Sequence, residues 1–562
     1  LWFLSKRSDS IAPSRAAWLV AIGVSPYWIV TQWWVSKVSG FGYVPLVIVL
    51  CLQMWLVCRV AAALRSRLPR GAWLCVLPLV AAGMDYFRGE VFFDGYAWGF
   101  AGHPLIDVPV LASPGVVGGF YLVNFLAIMA AAAVAVGLSA CVGGDRSKRR
   151  LGESAVAVAV VLALWAGFAG WGLALQRSAA DGPGFPVAML QTNVPQDNKI
   201  DWTPDDQLAA WRRMEKLCAE SFPGIELDPE AGERATPVAQ VRPELMLWPE
   251  TMMPGMTLEP KSLQTLADNG IVYHLKKPLT GIKDLGATAF ADRLLEDLQP
   301  NLGVPMLIGE VALEGLTITP VDDGLSIEHE SKFNSVYLID KERIQPIRYD
   351  KIRLTSFGET MPYISKWKWL EEQMLGVAAT GMAFDLKAGT KAVAFEIPSK
   401  TVGRSVRIVT PICFEMTDWA VCRKLTYVEG TGERRADLIA NVTNDGWFSE
   451  SKIAHVQHLQ VTRWRALELG TPLIRAANTG ISAIVDETGK VLKSGVDAEP
   501  GAIGRDGVLT GVVPLRKINT PFGRWGDVAG RATCVVALLA TVWVSFAGIR
   551  NRRRSNRKAS KA

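Results

Sequence analysis

The chain has 562 residues, 49% of them hydrophobic, and a positive mean hydropathy. This is too long for one ordinary domain, and its long apolar runs point to membrane spans. The formal net charge of +6 is modest, and the basic residues gather in short blocks between apolar runs, a sign of membrane topology rather than of a nucleic-acid surface. The eight cysteines, at positions 51, 58, 75, 141, 218, 413, 422 and 534, form no CxxC pair, so neither a disulfide framework nor a zinc site is indicated.

Taken in order, residues 16–35 are apolar and Trp-rich, with Pro26 inside. Residues 44–64 form a clearer span and are followed by the basic stretch 65–70. A third span begins at 71–84, a fourth covers 115–142 and ends in the basic loop Asp145–Arg150, and a fifth covers 154–175. The last runs from about Ala532 to Ile549 and leads into a basic tail without an acid. The predicted organisation is therefore an N-terminal region 1–180 of about five transmembrane helices, a catalytic domain 185–516, a C-terminal transmembrane helix 531–549 and a tail 550–562. The chain opens at Leu1 rather than Met, which leaves room for a span or signal upstream. Placing the tail in the cytoplasm and counting backwards puts 176–530 outside and every basic block inside, as the positive-inside rule requires. Between spans, 85–114 contains Asp85-Tyr86-Phe87-Arg88-Gly89 and Phe93-Asp94-Gly95-Tyr96-Ala97-Trp98-Gly99. These aromatics read as an interfacial belt or as a functional segment, and Asp85 and Arg88 are expected to pair within one helical turn.

From Phe185 the texture changes. Pro186–Gln196 reads as a strand with a polar end, and Thr203 or Asp205 is placed to cap a helix over 206–219. Residues 220–242, rich in Pro, Gly and acids, read as a loop insertion, and 257–300 as helix and loop. Strand patterns recur at 305–310, 334–340, 404–413, 438–443, 473–477, 481–485 and 507–513. A helical pattern covers 453–469, with Gly470 as its stop. Periodicity thus supports an α/β class.

Three stretches carry the chemistry. The run Ile408–Cys413 ends in a possible nucleophile and is followed at once by Phe414-Glu415. Leu245-Met246-Leu247-Trp248-Pro249 ends in Glu250, and Lys351 lies in Tyr349–Leu354, just beyond the strand-like Asn334–Asp340. α/β folds place their sites at such strand ends. A lone Cys in an apolar run also reads as a buried structural residue; Glu250 and Lys351 favour the nucleophile. His455 and His458, spaced i, i+3, could hold a metal, but no third ligand lies near them in sequence. A Cys–His dyad drawing on one of five histidines stays open, although it would leave Glu250 and Lys351 without a role.

The local contexts are more specific: Trp-Pro-Glu (248–250), Asp-Lys-x-x-Leu-x-x-Phe-Gly-Glu (350–359), Cys-Phe-Glu (413–415) and Asn-Asp-Gly-Trp-Phe (444–448). Together they resemble the apolipoprotein N-acyltransferase branch of the nitrilase (carbon–nitrogen hydrolase) superfamily, over nearly the whole chain. The resemblance implies a four-layer α-β-β-α sandwich inserted between transmembrane helices. It makes Glu250 the general base, Lys351 the oxyanion stabiliser and Cys413 the nucleophile, with Glu359 and Glu415 as supporting carboxylates. Trp202 falls where these enzymes keep a required Trp, and Phe414 stands where they usually have Tyr. The segments in 85–114 match the family loosely. No metal or other cofactor is implied. The expected activity moves an acyl chain from a membrane phospholipid, through a Cys thioester, to the α-amino group of the diacylglyceryl-cysteine of an apolipoprotein. The expected setting is the bacterial inner membrane with the catalytic domain facing the periplasm, and the partners are the bilayer and these two lipids, not nucleic acid. A membrane-tethered amidase or nitrilase is the alternative enzyme, and an inactive lipoprotein-binding scaffold the alternative class. Two apolar stretches, Thr251–Met256 and Met361–Leu370, read either as core or as an acyl-site lining that dips into the bilayer surface.

The topology is open to a direct test. On intact spheroplasts a membrane-impermeant thiol reagent should label a cysteine introduced by Ser326→Cys and not one introduced by Ser147→Cys. The reverse pattern would invert the orientation.

Overall fold

The computed structural model describes residues 13–38, 40–65, 70–142, 148–179, 181–194, 202–222, 241–276, 283–322, 324–356, 358–360, 386–449, 451–495 and 505–559. It divides into two compact units, Leu1–Arg177 with Thr520–Ala562, and Ser178–Asn519.

The first unit is helical: α1 Pro13–Thr31, α2 Gly40–Arg65, α3 Arg70–Tyr86, α4 Gly115–Val142 and α5 Lys148–Arg177 precede the second unit, and a last helix, Val528–Ala559, follows it. Four described segments are long and apolar enough to cross a membrane: Gly42–Leu64, Gly115–Ala135, Ala155–Arg177 and Val528–Ala547. The other two expected spans are helices as well, of 19 and 17 residues, but do not meet that length and hydropathy. Large apolar side chains such as Ile22, Leu162 and Phe546 are exposed on these helices, as a lipid-facing surface requires. Asp85 and Arg88 interact through their charges, and each has further partners. Asp85 accepts from the Gln53 and Asn124 amides at 3.1 and 3.0 Å, while Arg88 donates to the Tyr96 and Trp98 carbonyls at 3.2 and 2.7 Å. The Arg88 guanidinium also lies 4.0 Å from the Phe100 ring centroid.

The second unit is α/β. Its elements are β1 Gly184–Gln191, α6 Pro204–Glu220, β2 Met246–Leu247, α7 Pro260–Asp268, β3 Met306–Glu314, β4 Ser331–Asp340, β5 Arg343–Asp350, β6 Phe395–Ser399, β7 Arg404–Val409, α8 Trp419–Thr426, β8 Leu438–Thr443, α9 Lys452–Leu469, β9 Leu473–Ala477, β10 Ala483–Val485, β11 Val491–Ser494 and β12 Gly507–Pro514. They build two six-stranded sheets, ordered β12-β1-β2-β3-β4-β5 and β6-β7-β8-β9-β10-β11. In each, three neighbouring strands run parallel: β1, β2 and β3 in the first, β7, β8 and β9 in the second. Outer strands pair antiparallel.

Both faces of the first sheet are covered. Ala188, Leu190, Met306, Ile308, Tyr337 and Ile339 join an apolar cluster with Leu208, Trp211 and Met214 of α6 and with Phe290 and Leu294. The alternate residues Val187, Met189, Leu247, Leu307 and Val336 are equally buried. Hence these strands read as continuous apolar runs rather than alternating ones. The sheets meet each other through Gln191–Ser482 and Thr192–Asn478, at 2.8 and 2.7 Å. On the second sheet α9 tethers through Thr462, which accepts from Arg475 at 3.2 Å. Sheet against sheet with helices outside is the expected α-β-β-α order.

Local signals explain the element ends. Thr203 is the cap of α6, accepting from the Asp206 N–H at 3.3 Å, whereas Asp205 accepts from the Lys276 N–H at 2.9 Å. Gly470 ends α9 in the left-handed conformation, φ 55°. The apolar stretch after Glu250 is core where it was open to either reading: Met252 and Met253 are 1% and 3% exposed within the cluster under the first sheet, so they do not reach a bilayer surface. The stretch 361–370 and most of the insertion at 220–242 lie outside the described residues.

One close approach positions the first site residue. A Cβ at Gly309 of β3 would lie 2.7 Å from the Pro249 carbonyl oxygen and 2.8 Å from Glu250 Cα. Gly309→Ala should therefore push Glu250 out of place and cost about 1–3 kcal/mol, the range of an overpacked core. A lowered unfolding midpoint in detergent, with lowered activity, is the expected result.

Candidate active site

Strand direction brings the site together. Glu250 follows β2, Cys413 follows β7, and Asn444 follows β8, each at the C-terminal end of a parallel strand. Two antiparallel steps, β3 to β4 to β5, return β5 to the direction of β2 and β3, so Lys351 emerges at the edge where Glu250 lies. Asn334, near the start of the antiparallel β4, faces the same edge.

Lys351 is 1% exposed. Its Nζ lies 2.7 and 2.9 Å from the two carboxylate oxygens of Glu359, 3.4 Å from Glu250 Oε1 and 3.3 Å from Thr355 Oγ1. Burial opposes its charge, but the carboxylates of Glu359 and Glu250 outweigh burial and hold the lysine pKa above its ordinary value. Burial likewise opposes ionisation of Glu359, yet Lys351, the Thr355 N–H and Asn334 hold its carboxyl below the usual range. The Asn334 amide ties the two acids together, donating to Glu250 Oε1 at 2.7 Å and to Glu359 Oε1 at 3.1 Å. Glu250 Oε2 accepts from the Asn444 backbone N–H at 2.8 Å.

Cys413 opens a short 3-10 turn, Cys413–Thr417, with φ 47°. This left-handed conformation strains a cysteine, and it persists only where the surroundings over-determine it. Glu415 supplies that constraint. Fully buried, it accepts from the backbone N–H groups of Ile412, Ile352 and Arg353 at 2.8, 2.7 and 2.9 Å, and from Tyr349 Oη at 2.8 Å. It therefore bolts the Cys413 turn to the segment carrying Lys351. Burial pushes its carboxyl up to about 7. The Cys413 thiol faces the Asn444 carbonyl at 4.0 Å. Burial and the Glu250 carboxylate push the thiol pKa up, against the pull of Lys351, so at neutral pH the sulfur rests protonated.

The other expected residues are placed differently. Trp202 is half-buried and packs against the apolar cluster of α6 and the first sheet, which includes Trp248. Phe414 is half-buried, and its carbonyl accepts from Thr417 Oγ1 at 2.8 Å. His455 and His458 both turn to Asp445, their Nδ1 atoms 3.6 and 2.9 Å from its carboxylate. No cluster of three metal-ligating side chains occurs among the described residues. Sequence reasoning missed Asn334, Tyr349 and Thr355 as participants. Asn444 stood in a quoted motif, but its backbone bond to Glu250 leaves no mark in the sequence.

The geometry predicts the effect of changing the lysine. Lys351→Arg keeps the charge but forces a planar fork into a space shaped for a compact ammonium between two carboxylates. The rate should fall by at least about a hundredfold, the scale of one oxyanion donor. Initial-rate measurements on purified enzyme check this, and near-normal activity would remove Lys351 from the chemistry.

Comparison with known proteins agrees with this architecture. The model of the apolipoprotein N-acyltransferase N-terminal domain matches residues 1–133, and that of the carbon–nitrogen hydrolase family matches 187–504. A curated apolipoprotein N-acyltransferase of Rhodopseudomonas palustris is 28% identical over 456 residues, covering 81% of this chain and 70% of its own. One of Chromobacterium violaceum is 26% identical over 558 residues, covering 95% and 86%. The hydrolase match spans more than half the sequence and takes in every strand of the second sheet and all of the first but β12 and the start of β1, and on that ground the chain belongs to the carbon–nitrogen hydrolase family.

Proposed function

We propose that this membrane protein N-acylates lipoproteins, with Cys413 as nucleophile, Glu250 as proton carrier and Lys351 as oxyanion stabiliser. The observation that carries the reading is the buried Lys351 ammonium between Glu250 and Glu359, with Glu250 bonded to the N–H of Asn444, whose carbonyl faces the Cys413 thiol. The N-terminal match to an acyltransferase domain and the four apolar helices favour a lipid substrate over a soluble amide.

In the first step Glu250 takes the thiol proton as Sγ attacks the ester carbonyl carbon of a phospholipid. Negative charge gathers on the carbonyl oxygen, where Lys351 and the backbone N–H after Cys413 stabilise it. The ester C–O bond breaks, Glu250 returns the proton to the departing alkoxide, and a lysophospholipid leaves behind a thioester. In the second step the α-amine of a diacylglyceryl-cysteine attacks that thioester. The C–S bond breaks, an amide forms, and the amine's proton passes through Glu250 to the Cys413 sulfur. A resting thiol that is protonated until Glu250 accepts its proton suits such a cycle, since it limits unproductive reaction. Glu359 keeps Lys351 charged, and Glu415 fixes the turn that presents Cys413. The basic blocks of the sequence support an inner-membrane protein with residues 176–530 facing the periplasm.

The competing chemistry is hydrolysis, with water as acceptor. Purified enzyme given phospholipid alone in detergent should accumulate an acyl adduct on Cys413 that hydroxylamine removes and Cys413→Ala abolishes. A diacylglyceryl-cysteinyl peptide should discharge it into an N-acyl product. Decay to free fatty acid at the same rate with and without peptide would favour the hydrolase.

A further inference from the structure

Behind the site lies a buried ion cluster for which the chemistry above assigns no role. Asp445 and Arg475 are 1% and 0% exposed. Arg475 Nη2 donates to both Asp445 oxygens, at 2.8 and 2.7 Å. Asp445 Oδ1 also accepts from Thr443 Oγ1 at 3.0 Å and meets His458 Nδ1 at 2.9 Å, while Gly480 leaves it room: a Cβ there would stand 2.0 Å from Oδ2. The other arm of Arg475, Nη1, donates to Asn441 Oδ1 at 2.6 Å, and Asn441 Nδ2 donates to the Pro411 carbonyl at 3.0 Å. One planar fork therefore reaches two segments. Through Asp445 it fixes the neighbouring Asn444, whose N–H binds Glu250 and whose carbonyl faces Cys413. Through Asn441 it fixes the chain two residues before Cys413. Asn444 is further clamped by Asn478 Nδ2, at 3.0 Å from its side-chain oxygen.

We infer that Arg475 is a positioning residue that sets the distance between the general base and the nucleophile, by holding the Asn444 peptide and the Pro411–Cys413 turn in one register. This rests on the roles proposed for Glu250 and Cys413. Burying a bidentate ion pair is costly, and a packed apolar pair would stabilise a core at least as well. Spanning two segments that each carry one half of the site is something an apolar pair cannot do. A lysine, with one point of charge, cannot donate along both arms in this geometry.

The test compares Arg475→Lys with Asn441→Ala. The second variant leaves Arg475 paired with Asp445 and with Thr462 Oγ1 at 3.2 Å, so it should fold even if the first does not. Two readouts are taken on full-length enzyme in detergent: kcat and KM for acyl transfer, and the rate at which iodoacetamide alkylates Cys413 without lipid. Misplacement of a base by a fraction of an ångström to 1 Å should lower kcat about tenfold to a hundredfold, leave KM within about twofold, and slow alkylation by about fivefold or more, at an unfolding midpoint near that of the wild type. Wild-type kcat and alkylation in a folded Asn441→Ala variant would overturn the inference. So would a raised KM at unchanged kcat, or faster alkylation. If the wild type forms no acyl adduct, the acyltransferase reading fails, yet the alkylation comparison still decides the role of Arg475.

Discussion

The constraint on which the site depends is the burial of one ammonium group. A charge taken out of water costs several kcal/mol unless opposite charges and hydrogen bonds replace the lost solvation. Lys351 is satisfied by two carboxylates and a hydroxyl, and those partners come from two different segments: Glu250 after β2, and Thr355 and Glu359 from the turn beyond β5. Asn334 then binds both acids, which would otherwise repel across the same small space. A lysine so held stays charged. In the proposed mechanism Glu359 and Asn334 act by fixing that cation rather than by touching a reacting atom.

The same logic extends to Cys413. Cys413 occupies a backbone conformation that costs free energy, and Glu415 offsets that cost with three backbone N–H bonds and one to Tyr349. Because two of those donors belong to Ile352 and Arg353, the turn around Cys413 and the segment holding Lys351 form one rigid piece. Burial and the neighbouring Glu250 carboxylate push the thiol pKa up, which under the proposed mechanism leaves Glu250 to accept its proton. The two sheets supply the frame: parallel strands deliver Glu250, Cys413 and Asn444 at their C-terminal ends, and a double reversal delivers Lys351 to the same edge.

The helical unit obeys a related rule in a different solvent. Asp85, at the end of α3, and Arg88, just beyond it, are met by amides, carbonyls and an aromatic face as well as by each other's charge, because polar groups taken out of water must find protein partners.

The sequence by itself determined the apolar spans, the α/β alternation, and the residue types at strand ends. Buried strands and membrane helices must be written as apolar runs; Glu250 and Cys413 each end one, and Lys351 lies beyond the strand-like 334–340. The strands at 438–443 and 473–477 and the α9 stop at Gly470 follow from the same local rules. Other features had no local signature. Strand β5 carries Arg343, Gln345 and Arg348 and is half-solvated, so its pattern did not read as a strand, although it is what places Lys351. The assignments of Glu359 and Glu415 came from family resemblance; only folding shows that one clamps Lys351 and the other braces Cys413. Met252 and Met253 read equally as core or as membrane contact, since an apolar side chain does not state which apolar surroundings it will meet. The Asn444 bond to Glu250 joins residues 194 positions apart through a backbone N–H that almost every residue possesses, and the two arms of Arg475 reach side chains 34 and 30 positions away. Only the tertiary structure decided these, because their partners are chosen by where strands end in space and not by what the neighbouring letters are.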